Sequence, residues 1–179
     1  LGLVDGAAPR IDGHKAVIFA GAERWISLSL SGALRSFVLG GGHVLSIGAG
    51  SMQRSVTIQS GEALAPSAPA ATDALGARAG QLVSHNNQLL LVNRDGLGIF
   101  TSTSGAFSGF SSFQPFVSVA APGQIASSAG TSYSSTAIIG YRLGRGIVVD
   151  IGLPTFGTSL AHNPDSQELI RRLWTVLSR

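Results

Sequence analysis

The 179-residue chain contains no cysteine and unusually little charge. Without cysteine it can form no disulfide, no thiolate zinc site and no thiol nucleophile. Charged residues make up 12% of the chain, so small and uncharged polar residues must cover most of the surface. The chain is nevertheless not predicted to be disordered, because 44% of its residues are hydrophobic.

Long apolar runs and clusters of basic residues are also absent. The most apolar stretch, residues 37–50, contains three consecutive glycines and His43, and no run reaches the ~18–20 residues that a membrane helix needs. The 12 basic residues are scattered, and only Arg171 and Arg172 are adjacent. The net charge of +3 therefore does not indicate nucleic-acid binding. We predict neither a nucleic-acid partner nor a membrane span in this segment.

The length suits one domain, and no second core or internal repeat is visible. We therefore predict a single domain over residues 1–179. Leu1 is not an initiator residue, which indicates a segment of a longer protein whose other domains would be its partners. No signal peptide is visible and the compartment stays open, although the cysteine-free, charge-poor composition is compatible with export.

The clearest local pattern is a strand, a helix and a second strand in the first third of the chain. Apolar runs at 15–20 and 43–47 flank a segment with helical apolar spacing. Ser27 or Ser29 can cap this helix, and the glycines that follow can end it. Such a unit predicts two parallel strands.

The last third is patterned as well. Residues 136–141 and 146–151 are apolar runs that predict a hairpin with a glycine-containing turn. Asn163 is expected to cap a C-terminal helix, with Trp174 on its buried stripe. Between these thirds, residues 81–92 predict a second hairpin turning at two asparagines, and residues 98–103 are a weaker strand candidate.

Together these elements predict an α/β fold. We expect a flavodoxin-like three-layer domain with a mostly parallel sheet and an antiparallel extension at one edge.

Four phenylalanines recur at every third position in a Ser- and Gly-rich stretch, at Phe107, Phe110, Phe113 and Phe116. This period matches neither a strand nor an α-helix. The stretch could be an adhesive surface loop for a partner. The alternative is a connection that pins its aromatic rings into the core, which we favour because so many exposed rings would promote aggregation.

The segment Gly48-Ala49-Gly50-Ser51 follows a predicted strand, where ligands collect in open α/β sheets. Three interpretations are open: a phosphate cradle of backbone N–H groups, Ser51 as a nucleophile, or a tight turn that only glycine can make. A nucleophilic serine would need a histidine. Of the four in the chain, only His162 follows the last predicted strand.

Glu23 and Trp25 come just after Gly21, at the end of the first predicted strand. A carboxylate there would point into the same site region. The alternative is that Glu23 makes a local salt bridge or cap while Trp25 packs on the helix. With Gly48, Gly50 and Ser51, these two residues form the predicted ligand-binding set.

The stretch Ile47-Gly48-Ala49-Gly50 resembles the strand end of class I glutamine-amidotransferase-like domains. In those enzymes the strand ends in I-C-x-G, where the cysteine is the nucleophile, and Gly48 stands in its position. After the last strand the enzymes carry an H-P-E motif, whereas this chain has Gly152-Leu153-Pro154-Thr155. The resemblance implies an amidotransferase-like fold with a degenerate active site and no catalytic residue.

A closer resemblance is to the C-terminal domain of the large subunit of N,N-dimethylformamidase and its relatives. Residues 11–17 resemble its L-D-G-Y-D-x-V pattern, Glu23 and Trp25 match parts of G-H-x-E-Y-W-S, and residues 41–45 resemble its glycine pair. The resemblance implies an iron site around the glutamate. Gly21 stands where the histidine of that motif belongs, so we expect neither a metal nor another cofactor.

These observations predict a non-catalytic, amidotransferase-like module of a larger protein, serving domain packing or the binding of a partner or small ligand. The alternative is an amidase-type hydrolase domain that cleaves C–N bonds with Glu23 and residues outside this segment. A third hypothesis, carbohydrate or cell-surface binding, depends only on the Ser- and Gly-rich, charge-poor composition.

Overall fold

The computed structural model describes residues 11, 13–60, 62–84, 89–132 and 135–179. Within them the chain forms fourteen strands and three helices. The strands are β1 (Ala16–Ala20), β2 (Trp25–Ser27), β3 (His43–Ile47), β4 (Arg54–Gln59), β5 (Glu62–Leu64), β6 (Ala77–Ala79), β7 (Val83–Ser84), β8 (Leu90–Asp95), β9 (Ala106–Phe107), β10 (Ser112–Phe113), β11 (Phe116–Val119), β12 (Gln124–Ser132), β13 (Ser135–Leu143) and β14 (Gly146–Ile151). The helices are α1 (Leu28–Gly40), α2 (Phe156–Ser159) and α3 (Pro164–Leu177).

The main sheet has the strand order β1-β3-β14-β13-β12-β8-β9, and β11 joins it through β13 and carries β6 on its other side. Pairing is parallel from β1 through β3 to β14 and antiparallel from there to β9. Register shifts interrupt the β12 pairings, as β-bulges do when they bend a sheet. The result is a curled mixed sheet in the form of a half-barrel.

The prediction of a flavodoxin-like, amidotransferase-like three-layer domain with a mostly parallel sheet is therefore wrong. Parallel strands need long crossover connections, and only the first part of the chain has the pattern of one. β12, β13 and β14 follow one another closely in sequence and pair antiparallel, and β8 and β9 extend this antiparallel part of the sheet.

The strand–helix–strand prediction is confirmed. β1 and β3 are parallel neighbours, with Ala20 paired to Ile47 at their carboxyl ends. The side chain of Ser27 caps α1 by accepting a hydrogen bond from Leu30 N at 3.2 Å. Gly41 ends the helix in the left-handed region at φ +116°, which glycine adopts without steric cost.

The C-terminal hairpin and helix are confirmed as well. β13 and β14 pair antiparallel through a turn at Gly144, and the Asn163 side chain caps α3 by accepting from Ser166 N. Trp174 does not lie on the buried stripe of α3, because 67% of its surface is exposed. Val176 occupies the buried stripe instead.

The hairpin predicted at residues 81–92 is wrong. β7 pairs with β10, and β8 pairs with β12 and β9, so the two strands belong to different sheets. The turn predicted at two asparagines lies outside the described residues. Residues 98–103 form turns, so the strand predicted there is also wrong.

All four phenylalanines of the Ser- and Gly-rich stretch are buried, with exposures of 1 to 6%. Three of them pack with α2, α3 and β14 on one face of the sheet, while Phe116 belongs to the core on the α1 face. The favoured prediction of a core-pinning connection is confirmed. The adhesive loop is excluded, because its rings would have to be exposed.

Gly32 offers a prediction about the stability of α1. It lies inside the helix, and a Cβ added there would meet no atom within 4 Å. We expect Gly32→Ala to raise the free energy of unfolding by about 0.5–1 kcal/mol, measured by urea denaturation, because alanine loses less conformational entropy. Gly105 has equally open space, but its φ of +77° lies in the left-handed region that alanine disfavours. Gly105→Ala should therefore lower the free energy of unfolding by about 1 kcal/mol. Equal effects of both variants would contradict this reasoning.

Among the described residues, no helix combines the length and the apolarity required to cross a bilayer.

Candidate active-site region and the arginine pocket

The carboxyl ends of β1, β3 and β14 lie side by side, since Ala20 pairs with Ile47 and Ile47 pairs with Ile151. Each strand is followed by a glycine, at positions 21, 48 and 152. In sheets with parallel strands this edge is where ligands bind. The predicted site residues therefore belong to one region of the fold.

The turn at Gly48 has no room for a side chain. Its φ is +107°, and a Cβ there would lie 2.9 Å from the backbone nitrogen of Ala22. Its own N–H donates to the carbonyl of Ile151 at 2.8 Å, which fixes the turn against β14. No residue that carries a nucleophilic side chain fits here without movement of the neighbouring loop.

Ser51 and His162 are not joined by a hydrogen bond. The Ser51 hydroxyl donates to the carbonyl of Gly48 at 3.2 Å, within its own turn. His162 is exposed in the segment before α3, where its backbone N–H donates to Ser159. A nucleophilic serine needs a base within hydrogen-bond reach, and this serine has none among the described residues.

Glu23 and Trp25 border a groove of about 320 Å³ beside β1, together with Phe19, Leu30 and Met52. Both are exposed, Trp25 by 55%. The backbone of Glu23 shapes the loop, because its carbonyl accepts from Met52 N at 2.7 Å. The structure thus brings Glu23 and Trp25 next to the Gly48–Ser51 turn, where the sequence placed them.

A second pocket of about 220 Å³ is lined in part by this turn. Two arginines, Arg24 and Arg54, line it together with Gly50 and Gln114. The remaining lining residues are Ala49, Gln53, Pro69 and Leu82. No carboxylate is among the described residues that line it, so the charged side chains in this lining are both positive. We call this the arginine pocket.

Gln114 fixes the floor of the arginine pocket. Its Oε1 accepts a hydrogen bond from Gly50 N at 2.7 Å, and its Nε2 donates to the carbonyl of Gly80 at 3.1 Å. Its backbone N–H donates to Gly152. Gln114 is 8% exposed and ties the glycine turn to two distant segments, so the turn is held rigidly.

The two guanidinium groups differ in how they are held. Arg54 donates from Nη1 to the carbonyl of Ser67 at 3.2 Å, which leaves its other donors available. The Arg24 side chain runs beside Gly50, where a Cβ would lie 4.0 Å from Arg24 Nε. Any side chain at Gly50 would narrow the space between Arg24 and the turn. The φ of +75° also favours glycine there.

A buried acidic group lies behind this region, on the α1 face of the sheet. Asp150 on β14 is 2% exposed, and its Oδ2 has no hydrogen-bond partner in the described part of the chain. The hydroxyl of Tyr141 on neighbouring β13 also has no hydrogen-bond partner among the described residues. It nevertheless lies close enough to the Asp150 carboxyl group to lower the pKa of that group. Burial, followed by the charge of Asp73, raises the pKa of Asp150 well above its usual range.

Asp73 contributes to the same group from the loop before β6. Its Oδ1 accepts hydrogen bonds from the backbone N–H groups of Leu75, Gly76 and Ala77, at 2.7 to 2.9 Å. Part of the residue remains accessible, but its carboxylate lies inside this turn. Burial raises the pKa of Asp73 to about 6, and the three N–H groups oppose the shift.

The four histidines of the sequence have separate locations. His43 begins β3 at the amino edge, opposite the site, and its Nδ1 accepts from Ile147 N at 3.0 Å. Burial, with Arg142 and Lys15 nearby, lowers the pKa of His43, which suits an acceptor that must stay neutral. His14 is exposed, and His85 lies outside the described residues. Within the part of the chain that the structure describes, no group of three or more His, Asp or Glu side chains could hold a metal ion.

Four residues of this region were not predicted as site residues: Arg24, Arg54, Gln114 and Asp150. Arg24 stands between Glu23 and Trp25, and its charge at a strand end could have signalled an anion site. Asp150 interrupts an apolar strand, which is a signal for a buried functional or coupled group. Gln114 lies 64 residues from its partner Gly50, and nothing local in the sequence indicates that contact.

No protein-family model and no curated protein matches the sequence. Solved structures share the fold. The β-galactosidase from Bacillus circulans sp. alkalophilus matches with a TM-score of 0.57 and 14% identity, over 90% of this chain and 22% of that one. The β-galactosidase from Rahnella sp. R3 matches with a TM-score of 0.54 and 14% identity, over 92% of this chain and 23% of that one. The N-terminal domain of mmIFT52 matches with a TM-score of 0.60 and 13% identity, over 94% of this chain and 79% of that one.

At such identities these likenesses show the fold alone. The chain spans about a fifth of the length of the β-galactosidases it matches. None of these three proteins is named as a glutamine amidotransferase or a dimethylformamidase. The description of the chain as a flavodoxin-like amidotransferase domain is wrong for this half-barrel. The residue-level resemblance to those families stays a prediction.

Proposed function

We propose that this chain is a non-catalytic module of a larger protein, and that it binds a small anionic ligand in the arginine pocket. The observation that carries the proposal is the geometry of the turn after β3. Position 48 excludes a side chain, Ser51 bonds back to its own turn, and two arginines stand beside that turn with no carboxylate among the described lining residues.

The module part of the proposal is supported by the structural neighbours. In the two β-galactosidases the matching region makes up about a fifth of a much longer chain. A fold that occurs inside larger proteins is suited to packing against other domains of the same polypeptide. No enzymatic role follows from the names of those neighbours, because the likeness extends to the fold only.

The ligand class follows from charge and size. Guanidinium groups bind carboxylates and phosphates through paired N–H donors, and two of them here lack an acidic partner within the pocket lining. A volume of about 220 Å³ suits a small molecule better than a dinucleotide. We therefore expect a small organic carboxylate or phosphate, with the oxyanion between Arg24 and Arg54.

We expect Arg24→Gln to weaken binding of citrate or inorganic phosphate by about tenfold or more, because one charge-assisted hydrogen bond contributes roughly 1.5–3 kcal/mol. Isothermal titration calorimetry on the 179-residue chain would measure this. The matched control is Arg142→Gln, an exposed arginine near the amino edge of the sheet, which should leave the affinity unchanged.

Two results would overturn the proposal. One is that both arginine variants weaken binding equally, which would indicate a general attraction to the positive chain. The other is turnover of an amide substrate that is abolished by Glu23→Gln, which would favour the amidase-type hydrolase. If only one of the two anions binds, that result identifies the ligand class and supports the pocket.

A further inference from the structure

β1 forms one edge of the main sheet, and both tryptophans of the chain flank it. Among the described residues β1 has a neighbour on one side only, which is β3. Trp25 borders the groove on the α1 face, and Trp174 borders a second groove of about 290 Å³ with Ile170, Leu177 and Leu45. Ile18 lines both grooves and is 43% exposed.

This edge lacks the features that usually keep edge strands from pairing. β1 has the sequence Ala-Val-Ile-Phe-Ala, with no charge, no proline and no bulge in its pairing to β3. Native proteins protect such edges with charged residues or proline, or cover them. Exposed tryptophans on both sides are also typical of residues that dominate protein interfaces.

The outward-facing N–H and C=O groups of β1 are oriented so that a further strand can pair with them. The carbonyl of Lys15 accepts from His43 N, so it points toward β3. Because backbone groups alternate along a strand, the N–H and C=O groups of Ala16, Ile18 and Ala20 point away from the sheet. An antiparallel partner strand centred on Ile18 would form about six hydrogen bonds with them.

We propose that this edge is covered by the same edge of a second copy of the chain, with the two β1 strands antiparallel about a twofold axis at Ile18. In that register Val17 lies opposite Phe19 of the second copy, and Ala16 opposite its Ala20. A branched side chain opposite an aromatic ring is a favourable cross-strand pair. The twofold arrangement makes the interface self-complementary.

Charge complementarity selects this arrangement. Lys15 precedes β1 directly, Glu23 follows it by three residues, and both are exposed. An antiparallel pair of strands brings Lys15 of each copy to the end where Glu23 of the other copy lies. A parallel pair would place lysine beside lysine and glutamate beside glutamate, which is repulsive. The edge of one copy therefore matches the same edge of another.

The test is the oligomeric state of the 179-residue chain, measured by sedimentation velocity over a range of concentrations. We expect a monomer–dimer equilibrium, with a concentration-dependent blue shift of tryptophan fluorescence as Trp25 and Trp174 lose solvent. Ile18→Lys should weaken association by about tenfold or more, because two like charges would face each other at the twofold axis. Leu39→Lys is the matched control, since Leu39 on α1 is also 43% exposed.

A charge exchange separates this arrangement from other modes of association. Lys15→Glu alone should weaken the dimer severalfold, and Lys15→Glu combined with Glu23→Lys should restore it. A chain that stays monomeric to about 1 mM would overturn the proposal. So would a dimer that is insensitive to Ile18→Lys, or one that the double exchange does not restore.

Discussion

Replacement of Asp150 by asparagine is expected to stabilise the protein increasingly as the pH rises. Asp150 is buried in a central strand with one carboxylate oxygen unpartnered, and its pKa is raised well above the usual range by burial and by Asp73. A carboxyl group with a raised folded-state pKa binds its proton more tightly when folded than when unfolded. The group therefore contributes stability at low pH, which is lost as the pH rises.

The pH window follows from the two pKa values of each group. For Asp73 stability should decrease between about pH 4, where the unfolded carboxyl loses its proton, and about pH 6, where the folded one does. For Asp150 the decrease should continue to higher pH, because its pKa is raised further. The titratable groups that act on Asp150 are Asp73 and the Tyr141 hydroxyl. Asp150 and Asp73 raise the pKa of Tyr141, whereas Arg35 of α1 lowers it.

The expected change in the free energy of unfolding is large for a single conservative substitution. Asparagine keeps the shape of the side chain and cannot ionise, so the wild-type chain alone carries the cost of a buried charge at high pH. Relative to wild type, Asp150→Asn should raise the free energy of unfolding little at pH 4 and progressively more as the pH rises above that. Urea denaturation at several pH values would measure this difference.

Two controls make this result specific. Glu62→Gln changes an exposed carboxylate and should stay within about 0.5 kcal/mol of wild type at each pH. Asp73→Asn keeps an Oδ1 acceptor for the three N–H groups and should lower the pKa of Asp150, so that stability at neutral pH rises as well. A difference between Asp150→Asn and wild type that is constant with pH would show that the pKa of Asp150 is the same in the folded and the unfolded chain.

The same buried group illustrates what the sequence could not reveal. The apolar run at 146–151 predicts β14, but it does not show that Asp150 faces the same core as Tyr141 on the neighbouring strand. That arrangement depends on the register between β13 and β14, where Asp150 pairs with Ile139. A register is a tertiary property, since a shift of one residue would turn every side chain to the other face.

The strand–helix–strand unit was predictable because its determinants are local. The apolar spacing of α1, the capping Ser27 and the left-handed Gly41 are all read within a few residues of sequence. The antiparallel half was not predictable in the same way. β12 consists largely of serine, alanine and glycine, and bulges alter its register with both of its neighbours. Neither its partners nor the curl of the sheet has a periodic signal.

The candidate site also has one part with local sequence determinants and one part that depends on tertiary contacts. The turn at Gly48 was predictable, because adjacent glycines after a strand indicate a sharp turn. The arginine pocket was not, because Arg24, Arg54 and Gln114 come from three separate segments. Only the fold brings them together, and Gln114 reaches Gly50 across 64 residues of sequence. The turn could therefore be predicted from the sequence, whereas the arginines of the pocket beside it could be identified only from the structure.

The other large effect is expected from Phe110→Ala. Phe110 is 1% exposed and stacks on Phe156 with ring centroids 6.3 Å apart. It anchors a Ser- and Gly-rich connection whose own backbone provides little regular pairing, because β9 and β10 are two residues each. Removing the ring leaves a cavity and releases this connection from α2 at the same time.

We expect Phe110→Ala to lower the free energy of unfolding by about 3–5 kcal/mol and the melting temperature by roughly 10 °C. Val117→Ala is the matched control, because Val117 is 55% exposed and should change stability by about 0.5 kcal/mol or less. Limited proteolysis adds a second measurement: cleavage between β9 and β11 should become faster in Phe110→Ala and stay unchanged in the control. A variant that melts like wild type would mean that the phenylalanines do not pin this connection, and the core on the α3 face would then have to be held by α3 and β14 alone.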